Sequence, residues 1–303
     1  MRSFRLLAND IVCLAFTPVL TVALLGAQMN PLPFLLGLAV ASNIGSAATI
    51  IGNPQNMLLG QAGRLDFGAF VAWCTPPALV SLAVAYLLLA WIYRGRFAQQ
   101  GVAPVTAKPD WPDFNAWQSS KGLMATAVLV GLFFTPIPRE LSAIAIAGVL
   151  LCSRQIQSRA LLHLVDWHLI TLFCGLFAVI HGISVVNVPA YLIEQLDRYG
   201  IVLENLYVLT GVSTVLSNLV SNVPAVMLLI QFIDKTDPVP WYALAASSTF
   251  AGNLIVIGSI ANLIVIEQAK RYGVEISFGE HARVGIPVTV LSLAILIGWI
   301  YLN

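Results

Sequence analysis

Ser42-Asn43-Ile44-Gly45-Ser46-Ala47-Ala48-Thr49-Ile50-Ile51-Gly52-Asn53-Pro54-Gln55-Asn56 breaks a long apolar run with amides, glycines, hydroxyls and a proline. Ala251-Gly252-Asn253-Leu254-Ile255-Val256-Ile257-Gly258-Ser259-Ile260-Ala261-Asn262 breaks a second run in the same way. Each stretch holds Ile-Gly with an Asn four residues beyond the Gly: Gly52 to Asn56, Gly258 to Asn262. Amide side chains are costly in hydrocarbon, and Gly and Pro weaken a helix. Irregular backbone at membrane depth survives only where protein or a watery cavity surrounds it. Matched interruptions in two halves of such a chain point to a transporter's substrate site.

Composition sets the class. The 303 residues are 58% hydrophobic and 10% charged, with a mean hydropathy of +0.86; soluble domains carry about 25% charge. The expectation is an all-α polytopic membrane protein embedded in the lipid bilayer. A net charge of +1 supplies no basic field for nucleic acid, so no nucleic-acid partner is expected. The cysteines, Cys13, Cys74, Cys152 and Cys174, lack metal-ligand spacing and read as free thiols. No Gly-x-x-x-x-Gly-Lys-Ser/Thr loop argues for ATP as the energy source. No nucleophile–base pair or metal-ligand set stands out, and His163 and His168 do not match His-Glu-x-x-His, so an enzyme is not expected.

Apolar runs at 11–27, 32–59, 67–93, 122–135, 139–153, 168–187, 206–232, 240–266 and 284–302 are candidate spans. Thr135-Pro136-Ile137-Pro138 reads as a tight turn between a short pair. Basic residues sort by side: Arg94, Arg96, Lys108 and Lys121 flank one loop, Arg154 and Arg159 sit in another, and Lys270, Arg271 and Arg283 in a third. Alternation puts all three on the cytoplasmic face. That pattern requires the run 206–232 to enter and leave on one side, as a re-entrant hairpin broken at Ser217-Asn218-Leu219-Val220-Ser221-Asn222-Val223-Pro224.

The chain then divides as 1–93, the later part of a first repeat; 94–121, a cytoplasmic linker rich in Gly, Pro and charge; and 122–303, a second repeat. Each repeat reads as hairpin tip, exit arm, then discontinuous helix. The first tip is Asn9-Asp10-Ile11-Val12 and the second Ser221-Asn222-Val223-Pro224. The first lacks an entry arm, since Met1-Arg2-Ser3-Phe4-Arg5 is too basic to be one. The expectation is a first repeat that is incomplete, from N-terminal truncation of a symmetric ancestor.

Ala8-Asn9-Asp10-Ile11-Val12-Cys13-Leu14-Ala15-Phe16-Thr17-Pro18 resembles the Asn-Asp hairpin motif of the arsenite permease and sodium/proton antiporter branch of the ion transporter superfamily. Ser42–Asn56 is similar to that branch's Ser-Asn-Ile-Gly…Gly-(Asp/Asn)-Pro-x-Asn segment. Asp166-Trp167 with Leu172-Phe173-Cys174-Gly175-Leu176-Phe177 is similar to its Asp-Trp…Phe-x-Gly-Leu-Phe helix start. Ser217–Pro224 and Ala251–Asn262 resemble its second hairpin and second broken helix. Proteins with the citrate-transporter-like domain are more distant relatives. The wording Gly52-Asn53-Pro54-Gln55-Asn56 is closest to bacterial inner-membrane anion permeases. The resemblance implies an inverted-repeat fold with re-entrant hairpins and broken helices meeting near the midplane, elevator-type motion, a homodimer in the full-length form, and a multi-pass place in the bacterial cytoplasmic membrane.

Broken helices expose N–H groups that attract anions and C=O groups that coordinate cations. Asn43, Asn53, Asn56, Asn222, Asn253 and Asn262 add neutral donors and acceptors; Thr49, Ser221 and Ser259 add hydroxyls; Gly45, Gly52 and Gly258 let backbone approach a ligand. Asn9 and Asp10 complete the candidate set, with Asp10 a carboxylate able to hold Na⁺ or carry a proton. No structural metal or other cofactor is expected. H⁺ or Na⁺ is the coupling ion, with the candidate Na⁺ near Asn43 and Asn222. The function read here is secondary active transport of a small inorganic or organic anion. The alternatives are Na⁺/H⁺ exchange within the same superfamily, an inactive truncated permease, and a passive anion channel.

Overall fold

The computed structural model describes residues 9–98, 115–152, 167–186 and 202–303, and the single positions Tyr191, Gln195, Arg198 and Gly200. The sequence readings at Met1–Arg5, His163 and Asp166 lie outside these residues. Twelve helices are described: α1 (Asn9–Gly26), α2 (Leu32–Ser46), α3 (Pro54–Ala62), α4 (Phe67–Ile92), α5 (Ala116–Leu132), α6 (Arg139–Leu151), α7 (Trp167–Val185), α8 (Leu206–Val220), α9 (Asn222–Leu229), α10 (Val239–Ala251), α11 (Ile260–Lys270) and α12 (Phe278–Leu302). Among the described residues extended pairing is limited to one isolated bridge, Met29 with Ala98. The chain is an all-α polytopic membrane protein.

Local chemistry sets the helix ends. Asn53, Asp66, Asn115, Asn205 and Ser259 each cap the helix they precede through a side-chain oxygen. Ser277 and Glu280 form a capping box that starts α12 at Phe278, ahead of the 284 expected from hydropathy. The Asn115 cap likewise starts α5 at Ala116, inside the stretch expected to be linker up to 121. Hydropathy alone missed both starts because the first turn of each helix is polar.

α1, α4 and α12 are long and apolar enough to cross a membrane. The 26 residues of α4 rise about 39 Å at ~1.5 Å each, more than a bilayer core of ~30 Å. The runs 32–59 and 240–266 each become two half-helices: α2 and α3 part at residues 47–53, α10 and α11 at 252–259. The run 206–232 reverses at Ser221, and α8 and α9 pack on each other across it. The expected hairpin is therefore present.

Two compact units emerge. α5, α6 and α7 as far as Gly182 form one; α1–α4 and α8–α12 form the other. In the first, α5 and α6 pair across the Thr135–Pro138 turn, and side chains such as Met124 and Ile144 stay exposed. Contiguous apolar surface of this kind faces lipid in a membrane protein. Trp117 is exposed in the first turn of α5, and His181 is exposed on α7. Cys13 and Cys74 are buried, Cys152 and Cys174 exposed, and all four are free.

In the second unit, α1 packs on α2 and α11, while α9 packs on α10 and α3. α2 packs on α4 as α10 does on α12, α2 meets α11 as α10 meets α3, and α4 lies on α12. Exchanging α1 with α9, α2 with α10, α3 with α11 and α4 with α12 leaves this neighbour pattern unchanged, as a two-fold relation between halves produces. Each hairpin arm thus rests on the second half-helix of the other half. The core between them is lined by Ala39, Ala243, Ala246, Ala261 and Ala269 around Ile44 and Phe250; such small residues let helix backbones approach closely.

Candidate functional site

The two breaks are built alike. Asn56 donates through Nδ2 to the carbonyls of Ser46 (3.1 Å) and Thr49 (3.0 Å). Asn262 donates through Nδ2 to those of Gly252 (2.8 Å) and Ile255 (3.4 Å). Each amide stands in for the helical N–H groups that the break removed, so the carbonyl of Ser46 at the end of α2 and those of Thr49, Gly252 and Ile255 within the breaks are not left bare. All three pairs, Asn56 with Asn262, Ser46 with Gly252 and Thr49 with Ile255, are 206 positions apart, as are Gly52 and Gly258.

The same register joins the halves. Asn262 Oδ1 accepts from Asn43 Nδ2 at 3.0 Å, and Asn56 Oδ1 accepts from the Thr249 hydroxyl at 3.4 Å. Ser259 Oγ donates to Asn43 Oδ1 at 2.8 Å, and Asn53 Nδ2 donates to Thr249 Oγ1 at 3.0 Å. Asn43 and Thr249 are again 206 apart. Each half therefore locks the other's broken helix with one polar side chain.

Asn43 has no capacity left. Its Nδ2 donates to Asn253 Oδ1 (2.9 Å) and Asn262 Oδ1, and its Oδ1 accepts from Asn9 Nδ2 (3.0 Å) and Ser259 Oγ. An amide offers two donors and two acceptor positions. Asn9 is similarly engaged: its Oδ1 accepts from the Asp10 N–H, its own N–H donates to the Gly52 carbonyl, and its carbonyl accepts from Ser42 Oγ. Asp10 follows it, half-buried in the first turn of α1. A methyl group on Gly52 would overlap the Ser46 carbonyl, so glycine is required there. At Gly45 added carbon meets open space, which removes the close-approach reason for that residue. Thr49 enters the network through its main-chain carbonyl.

The second hairpin tip is different. Ser221 stands at φ 80° and ψ 157°, a region almost exclusive to glycine and costing about 1–3 kcal/mol. Its side chain does not cap α9. Three amide atoms around it are buried with no hydrogen-bond partner: Asn218 Oδ1, Asn222 Oδ1 and Asn253 Nδ2. A Cβ built on Gly252 would lie 3.3 Å from Asn222 Nδ2, and one on Gly258 would lie 2.9 Å from Asn218 Oδ1. The two amides thus press on the backbone of the α10–α11 break. Asn218 Nδ2 is tied to the carbonyls of Thr214 and Ala251, and Ser213 shares a hydrogen with Ser247 at 2.6 Å, so α8 is strapped to α10. Ser221→Gly is expected to relieve the tip and raise the thermal midpoint of the detergent-solubilised protein by a few degrees, corresponding to about 1–2 kcal/mol; a fall would mean that the serine side chain holds the turn.

The sequence-chosen residues therefore separate into a closed set, Asn9, Asn43, Asn53, Asn56, Ser259 and Asn262, satisfied by protein, and an open set at Ser221, Asn222, Asn253 and Gly258. Asn218 and Thr249 belong with them and were not singled out as site residues. Thr249 is found by the 206-residue register from Asn43; Asn218 carries no such signal.

Residues 5–251 match the citrate transporter family, CitMHS. The chain is 31% identical to a 46 kDa membrane protein of Mycobacterium leprae over 96% of this chain and 72% of that one. It is 27% identical to the silicon efflux transporter LSI3 of Oryza sativa subsp. japonica over 96% of this chain and 74% of that one. With the inner membrane protein YbiR of Escherichia coli it shares 30% identity over 87% of this chain and 66% of that one.

Proposed function

Since this chain belongs to the citrate transporter family, CitMHS, and is a membrane transporter, we propose that it carries a small oxyanion together with a coupling cation through the second hairpin tip. The observation behind this reading is the cluster of unpartnered amide atoms at the hairpin tip, Asn218 Oδ1, Asn222 Oδ1 and Asn253 Nδ2, with the equally unpartnered Ser217 Oγ on the same arm. Buried polar groups are nearly always hydrogen-bonded, and exceptions call for a partner. Asn253 Nδ2 and the uncapped first turn of α9 offer N–H donors to an anion. Asn218 Oδ1 and Asn222 Oδ1 offer oxygen to Na⁺ or a hydrated proton. The helices α2, α3 and α8–α10 carry no Lys or Arg, so the co-bound cation would balance the anion's charge. The cation is assigned to the Asn222 side rather than to Asn43, whose four hydrogen-bonding positions are taken. Asp10 is the carboxylate proposed to move the proton if H⁺ is the coupling ion.

Alternating access would then be an elevator movement. The reading takes 1–93 and 122–303 as two repeats joined by a linker. Uptake by proteoliposomes with imposed Na⁺ or H⁺ gradients, against a panel of small oxyanions, tests it. Saturable uptake that follows one gradient is expected. Flux that rises linearly with concentration and ignores both gradients would indicate a channel, and Na⁺/H⁺ exchange without anion uptake would indicate an antiporter.

A further inference from the structure

Away from the polar network, a groove of about 440 Å³ runs between α2 and α4, lined by Phe34, Gly37, Leu82, Tyr86, Leu89 and Phe97 among others. Its volume falls in the range of small-ligand pockets, roughly 300–1,000 Å³. The named walls are apolar apart from the Tyr86 hydroxyl, and Tyr86 is largely exposed. Its end is fixed by the chain just beyond α4. Asn30 Nδ2 donates to the Arg96 carbonyl at 3.0 Å, Asn30 N donates to the Phe97 carbonyl at 2.8 Å, and Met29 bridges to Ala98. This tether sets the Phe97 ring edge-on to Phe34, with centroids 5.7 Å apart.

The mouth is basic. Arg94 and Arg96 flank the turn at Gly95, whose φ is +75°, and both are exposed. No ion pair holds either one among the described residues. Tyr93 lies within electrostatic reach of Arg96 and Arg283, with Glu280 the one acidic group also acting on it. The charge distribution along the chain puts this end on the cytoplasmic face, where the leaflet is anionic. An apolar slot at that depth beside two exposed guanidinium groups has the chemistry of a lipid: hydrocarbon in the slot, phosphate at its end. Arginine pairs with a phosphate through two parallel hydrogen bonds.

We propose that this groove seats one acyl chain of an anionic phospholipid of the cytoplasmic leaflet, whose phosphate is held by Arg94 and Arg96. The site is independent of the transport reading, because none of its residues belongs to the polar network of the breaks.

Native mass spectrometry of the purified full chain, with phosphatidylglycerol and phosphatidylcholine of identical acyl chains, tests this. Retention of phosphatidylglycerol about tenfold above phosphatidylcholine is expected. Arg94→Gln with Arg96→Gln should bring the two lipids level. Gly37→Leu should remove both from the groove: a side chain there has only Leu89 Cδ1 within 4 Å of its Cβ, at 3.4 Å, and it enters the slot. Inorganic phosphate should not displace the bound lipid, which separates a lipid from a free anion. Equal retention of the two lipids by the unaltered chain overturns the proposal. So does full phosphatidylglycerol retention by Gly37→Leu with an unchanged melting curve, or a dimer that carries no lipid and dissociates on Gly37→Leu.

Discussion

Asn43→Ala is expected to lower the thermal midpoint of the solubilised protein by about 10 °C, more than any other single truncation in the polar network. The reason is what the truncation leaves behind. Asn9 Nδ2 and Ser259 Oγ lose their acceptor, and Asn253 Oδ1 and Asn262 Oδ1 lose their donor. All four residues are buried. A buried polar group without a partner costs about 1–3 kcal/mol, although bonds between transmembrane helices average nearer ~0.6. Some of the four find substitutes, so a net loss of about 3–4 kcal/mol is the sensible expectation, at 2–4 °C per kcal/mol for a domain of this size. Asn43→Asp sharpens the test. The carboxylate still accepts from Asn9 and Ser259, but it sets oxygen against the oxygens of Asn253 and Asn262. It should melt no higher than Asn43→Ala despite its nearly identical shape. Melting of Asn43→Ala within 2 °C of the unaltered protein would show that the halves are held by apolar packing alone.

That experiment bears on what the sequence does and does not disclose. The interruptions at Ser42–Asn56 and Ala251–Asn262 were legible because glycines and amides have a physical cost in an apolar helix, and the structure breaks both helices there. The reversal at Ser221 was legible from charge asymmetry, which required one run to re-enter. The starts of α5 and α12 were not, because polar first turns mask them from hydropathy although the Asn115 and Ser277 caps were on the page. The larger illegibility lies within the site. Asn43 and Asn253 are the same residue type, each within the interruption of an apolar run. One uses its full bonding capacity, while the other leaves its Nδ2 unpartnered. Saturation is a property of the tertiary partners, four of which come from other elements of the chain. Composition can nominate the amides, but only the packing of α1 and α11 on α2 separates the locks from the open positions.

The open positions predict the opposite pattern from Asn43. Asn222→Ala is expected to lower gradient-driven uptake at least tenfold while leaving the melting curve unchanged or slightly raised. In the structure Asn222 Oδ1 is buried and unpartnered, so its removal deletes a desolvated group and orphans nothing; such changes are neutral or stabilising. A bound cation loses that oxygen, and a charge-assisted interaction worth about 1.5–3 kcal/mol amounts to roughly ten- to a hundredfold in affinity. Asn222→Asp divides the two ligands. A carboxylate at the tip should tighten the apparent affinity for Na⁺ or shift the H⁺ dependence to higher pH, because it binds the cation directly. It should also weaken the anion, whose N–H donors at the start of α9 it would occupy itself. Uptake would then need less cation and more anion to reach half-saturation. If Asn222→Ala transports normally, or if Asn222→Asp changes both half-saturation values in the same direction, the second hairpin tip is not where anion and cation meet. The unpartnered amides would then mark a resting conformation whose partners arrive only when the hairpin moves.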